Sequence, residues 1–203
     1  MTTTFDPASI YAAGTGTLSG GNLHYLQSGT NMTLVRSLDF NATDKFYFEL
    51  TNNRQQAGFT GVGVILKSQA NFSISTAANV PAGAWIWRDD GFLFNNGIRS
   101  AAFGTSAAAG TVLMVACDPA TGKLWFGSAG TWFASGNPAT GASPAYTGVA
   151  GLLGAMWATW GSGTTGGNNC TANFGASAYA YTPPAGFGNL LNAVAKARAI
   201  IMA

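Results

Sequence analysis

Groups that move protons, attack as nucleophiles or hold a metal are scarce in this chain. It has one histidine, His24, two cysteines, Cys117 and Cys170, and the acids Asp6, Asp39, Asp44, Glu49, Asp89, Asp90 and Asp118. Any Ser-His-Asp or Cys-His scheme would have to run through His24. That residue lies inside NLHYL, where alternation makes it a solvated or hydrogen-bonded strand side chain. A zinc site needs several His, Cys or carboxylate ligands brought together, and the two cysteines show no ligand spacing. No metal and no cofactor are therefore expected. Whether Cys117 and Cys170 pair stays open at this level.

Asp89 and Asp90 are the one adjacent acidic pair, in AWIWRDDGFLF beside Trp85 and Trp87. A glycosidase would need two carboxyl groups about 5–9.5 Å apart across a sugar. Neighbouring strand residues point to opposite faces, so these two do not easily converge. A turn ahead of Gly91 accounts for them better, and a calcium site using both acids is a weaker alternative. Asp118, before Pro119, is a turn starter. GVGV, residues 61–64, lacks the Lys-Ser or Lys-Thr and the following helix of a phosphate loop; its small residues suit close sheet packing. These readings point away from an enzyme.

The elements that must position these residues alternate with period two. In KFYFEL, Phe46, Phe48 and Leu50 share one face and Tyr47 and Glu49 the other; in GVGVIL, Val62, Val64 and Leu66 share a face. Trp85 and Trp87 share a face ahead of the Asp-Asp-Gly turn. TVLMVAC is apolar on both faces, as a strand covered on both sides would be. LLGAMWATW and CTANFGASAYAY are further strand candidates, with Gly, Asn, Ser, Thr and Pro clusters between them, including the loop GSGTTGGNN. Helical spacing occurs only in NLLNAVAKARAIIMA, where Leu190, Val194, Ala197 and Ile201 fall near one face. This helix either packs on its own sandwich or docks another subunit.

With 203 residues the chain fits one domain, and 47% hydrophobic residues with only 8% charged exclude disorder. A net charge of +2 with singly scattered Lys and Arg excludes a nucleic-acid footprint. MTTTFDPAS lacks the basic and apolar regions of a secretory signal, and no apolar run approaches the ~20 residues of a membrane span.

GTVLMVACDPATGKLWFGSAGTWF, followed by GNPATG, resembles the central hairpin of the SPRY family. Upstream, LSGGNLHYL, LVRSL, KFYFEL and GVGVIL match the family's opening strands in order; downstream, LLGAMWATW, TANFG and YTPPAGF match its closing strands. The resemblance implies an all-β fold, a bent β-sandwich of two antiparallel sheets of the concanavalin-like jelly-roll kind. It divides the chain into an N-terminal docking arm (1–17), the sandwich (18–190) and a short C-terminal helix (191–203).

The family generally recognises protein surfaces with loops at one end of the sandwich. Here Arg54, Trp85, Trp87, Asp89, Asp90 and Tyr146 are the candidate partner-binding residues, core packing being the alternative for the aromatics. The GNPATG form and the Gly- and Ala-rich chain with few charges are similar to SPRY-like domains of bacteriophage virion proteins. That likeness implies a structural subunit in the virion, a homo-oligomer decorating capsid or tail and binding other virion proteins. A tail-fibre module that binds a host cell-surface glycan or protein is the alternative.

Overall fold

Alternation becomes two sheets in the structure, a computed structural model that describes residues 3–11, 16–27, 32–54, 57–72, 76–160 and 167–190. The larger sheet has the order β1 (Gly16–Ser19), β2 (His24–Gln27), β13 (Asn169–Asn173), β4 (Phe46–Asn53), β9 (Thr111–Asp118), β10 (Lys123–Ser128), β11 (Thr131–Trp132). The two-residue β14 (Gly188–Asn189) lies parallel to the start of β4, and every other pairing is antiparallel. The smaller sheet has the order β3 (Thr33–Arg36), β12 (Leu153–Thr159), β5 (Thr60–Leu66), β6 (Ala84–Arg88), β7 (Phe92–Asn95), β8 (Ile98–Ala102).

The core lies between the sheets and is filled by every second residue. Phe46, Phe48 and Leu50 of β4, Leu113, Val115 and Cys117 of β9, and Leu124 and Phe126 of β10 face Val62 and Val64 of β5, Trp85 and Trp87 of β6, and Leu153, Ala155 and Trp157 of β12. The intervening residues are buried too, because loops return over both outer faces. On the larger sheet Tyr47, Met114, Ala116 and Trp125 lie beneath Tyr179, Tyr181 and Phe187. On the smaller sheet Leu34, Ile65, Ile86, Phe94 and Met156 are covered by Phe40, Val80, Tyr11 and Phe72. TVLMVAC is thus covered on both sides, as its pattern predicts.

Glu49 anchors one of these returns. It is buried, and its carboxylate accepts from the Tyr47 hydroxyl (2.7 Å) and the backbone amides of Ala180 (2.8 Å) and Tyr181 (2.9 Å). Burial, together with the hydrogen bond to Glu49, pushes the Tyr47 phenol far above its ordinary value.

Register settles the cysteines. Cys117 pairs opposite Phe46 and Cys170 opposite Asn52, positions on the same strand β4. Six residues of strand span about 20 Å, whereas a disulfide needs Cα atoms within about 7 Å. Both are free, buried thiols, held above the ordinary thiol range by burial.

In the N-terminal segment, Phe5 bridges Ser37 beside β3, is fully buried and meets the Phe174 ring edge-on at 5.4 Å. The arm read from the sequence therefore packs, over its described residues, on its own sandwich. The helix expected over residues 191–203 lies outside the described residues. Among the described residues, no helix is long and apolar enough to cross a membrane.

Candidate functional site

At one end of the sandwich the inward-facing positions change from apolar to polar. In the smaller sheet Thr33 pairs with Thr159 and Thr159 with Thr60, while Asp89 N–H donates to the Thr60 carbonyl at 2.9 Å. These four are fully buried. In the facing sheet Asn52 occupies the same level, and the Thr60 hydroxyl donates to Asn52 Oδ1 at 3.0 Å, joining the two sheets. The next inward position after Asn52 is Arg54, just past the end of β4.

Asp89 sits in the turn that joins β6 to β7. The Gly91 amide donates to the Arg88 carbonyl at 2.8 Å, and Gly91 takes φ 94°. A side chain there would be strained, which is the reason for glycine after the two aspartates. The Asp89 carboxylate turns inward. Its Oδ1 accepts from the Gly58 amide (2.9 Å) and the Thr60 amide (3.3 Å), and its Oδ2 stands 3.1 Å from Arg54 Nε. Its main-chain carbonyl accepts from the Ser106 hydroxyl (2.8 Å) and the Ala107 amide (2.9 Å). One residue thus joins the end of β4, the β4–β5 loop and the β8–β9 loop.

Asp90 turns the other way. It forms a two-pronged ion pair with Arg88 and a longer contact, 3.6 Å, with Arg99. The Arg88 guanidinium lies over Phe94 (4.6 Å) and Trp160 (5.5 Å), and Arg99 over Phe92 (3.5 Å). The two aspartates take different partners on different sides of the turn, as alternation predicts. Among the described residues no group of three or more His, Cys, Asp or Glu side chains is placed to hold a metal ion. His24 has Ser19 Oγ 3.1 Å from Nδ1 and Asn169 Oδ1 3.3 Å from Nε2.

Of the residues singled out in the sequence, Arg54, Asp89 and Asp90 come together at this end. Trp87 is fully buried and its ring lies 4.9 Å from Phe133; Trp85 is buried in the same inter-sheet core. Tyr146 lies in a side groove of about 290 Å³ with Leu93, Asn95, Ile98, Ser100 and Ala145. Its hydroxyl donates to the Ile86 carbonyl at 3.2 Å, and burial raises its phenol above the ordinary range. Arg88 and Arg99 belong to the site and were not singled out. Arg88 had a signal: residues two apart on a strand share a face, which places it beside Asp90.

Burial pushes the Asp89 carboxyl up to about 6, against the opposing pull of the Thr60 amide, Arg54 and the Gly58 amide. The folded chain therefore binds this proton more readily than the unfolded chain, whose value is near 3.9. The stability it contributes is complete below about pH 4 and is lost as pH rises through about 6. Urea unfolding of Asp89→Asn is expected to lack this slope, which in the native chain amounts to roughly 2–3 kcal/mol between pH 4 and 7. Parallel pH profiles for the two proteins would show that Asp89 does not titrate in this range.

The fold has close counterparts among solved structures. The chain superimposes on the SPRY domain of human HERC1 with TM-score 0.68 and 15% identity, covering 86% of this chain and 99% of that one. It matches the TRIM65 PSpry domain with TM-score 0.59 and 16% identity over 85% of this chain and 90% of that one. A human SPRY domain matches with TM-score 0.58 and 17% identity over 83% and 99%. No protein-family model and no curated protein sequence matches the chain. The fold is SPRY-like: an all-β sandwich of two antiparallel sheets.

Proposed function

We propose that this chain is a non-enzymatic protein-binding module whose contact surface is the polar loop end of the sandwich. The observation that carries the reading is the convergence there of Arg54, Asp89, Asp90, Arg88 and Arg99 on a SPRY-like scaffold. Asp89 holds the connections together, its carboxylate meeting Arg54 and the Gly58 and Thr60 amides and its main-chain carbonyl the Ser106 hydroxyl and Ala107 amide of the β8–β9 loop. Preorganised loops of this kind lose little freedom when a partner docks.

The finer reading is a virion subunit, a homo-oligomer decorating capsid or tail and bound to other virion proteins. The low charge, the Gly- and Ala-rich chain and the GNPATG likeness support it. Labelled protein is expected to rebind, saturably, to phage particles stripped of it. Binding to host cells without rebinding to particles would favour the host-receptor reading, which rests on the Asn-, Ser-, Thr- and Gly-rich loops. Failure of both would remove the virion reading.

A further inference from the structure

Arg54 is only partly used by the described residues of its own chain. Its Nε and Asp89 Oδ2 are 3.1 Å apart, yet the two groups are not aligned as a hydrogen bond. Its Nη groups have no partner among the described residues, and the side chain retains 15% exposure beside a fully buried carboxylate. A guanidinium presents five N–H donors in a planar fork, and a carboxylate meets that fork with two parallel hydrogen bonds. Asp90, on the outer face, already serves both Arg88 and Arg99, which leaves Arg54 facing Asp89 alone.

We propose that Arg54 receives an acidic residue of the partner protein, with Asp89 as the internal counter-charge that this residue competes with. The proposal rests on the protein-binding reading of this loop end and adds the chemistry of the partner. It has a pH dependence built in. Asp89 takes up a proton at about 6. Arg54, from the end of β4, is the one charged group facing it among the described residues. Arg88 and Asp90, on its own turn, point to the outer face. The β4–β5 segment meets it through Gly58 and Thr60, and the β8–β9 loop through Ser106 and Ala107, none of which titrates. Protonation removes the internal counter-charge from Arg54, and an acidic side chain with a value near 4 stays ionised at pH 5. Attraction for the partner therefore strengthens on acidification.

The test uses the full chain and a blocked tetraglutamate peptide, with tetraglutamine as control, followed by NMR at the Arg54 Nε–H. The glutamate peptide is expected to shift this resonance and to bind roughly tenfold more tightly at pH 5 than at pH 7.5, in line with the gain from a charge-assisted contact. Arg54→Gln is expected to lose this binding, and Asp89→Asn to bind equally at both pH values. Arg54→Lys keeps the charge without the fork. Its expected binding, roughly tenfold weaker than that of the native chain, keeps the test valid if Asp89→Asn does not fold. Equal binding of tetraglutamine, unchanged binding by Arg54→Gln, or native affinity that does not rise at pH 5 would each overturn the proposal. Rebinding of phage particles by Arg54→Gln at native affinity would also overturn it, leaving the protein-binding reading intact. Peptide binding by a protein that rebinds neither particles nor host cells would support the role of Arg54 and remove the virion reading alone.

Discussion

Gly63→Ala is expected to yield little folded protein. Gly63 lies in β5 opposite Ile86 of β6, in the middle of the smaller sheet. A Cβ at this position would stand 2.0 Å from the Trp85 carbonyl oxygen and 3.0 Å from Ile86 Cα. Both obstacles are backbone of the paired strand, so no rotamer change relieves them. Moving β6 would displace Trp85 and Trp87 in the core and carry Asp89 away from Arg54. Overpacking costs about 1–3 kcal/mol where side chains can adjust, and more where they cannot. A loss above about 3 kcal/mol is therefore expected, a large part of the 5–15 kcal/mol typical of a domain. Gly61→Ala supplies the comparison. Its Cβ would meet the Trp160 ring at 2.7 Å and Ile86 Cγ2 at 2.8 Å, side-chain atoms that can rotate or slide. Urea unfolding should rank Gly63→Ala well below Gly61→Ala; equal midpoints would show that β6 yields at no great cost.

The same strand shows what the sequence makes legible. Alternation places Val62 and Val64 on one face, and the small residues of GVGV mark a close approach of the neighbouring strand. The SPRY-like hairpin was readable as an ordered set of strands and turns. Its aromatics face two ways, Phe126 toward the second sheet and Trp125 beneath a loop. Alternation does not say which face is which when both are covered. Trp85 and Trp87 share a face, but residues of the opposite face, such as Ile86 and Phe94, are buried as well. Apolar pattern alone therefore could not separate core from contact. The Arg54–Asp89 pair was hidden for another reason. Its members are distant in sequence, just past the ends of strands in different sheets, and each has a sufficient local explanation as a loop or turn residue. The pairing follows from sheet-on-sheet packing, which carries no short-range signature.

Trp125→Ala is the second change expected to have a large effect, and it tests whether the hairpin aromatic is scaffold or contact. The ring is 2% exposed and meets Phe187 edge-on at 6.2 Å. Its Nε1–H donates to the Ala142 carbonyl at 2.7 Å. Truncation removes a large apolar surface, leaves a void and takes away one of that carbonyl's two donors, the other being the Asn137 amide. A loss of about 3–5 kcal/mol is expected for the truncation, whereas Trp125→Phe, which keeps most of the packing, should lose about 1–2 kcal/mol. Because the ring supports the segment that returns over the larger sheet, backbone amides of residues 179–187 should exchange faster in Trp125→Ala than in the native chain. Partner binding should then fall only in proportion to the unfolded fraction and recover at temperatures where the variant is folded. Native melting with lost binding would place Trp125 in the interface, and the contact surface would have to extend from the Arg54 end to this outer face.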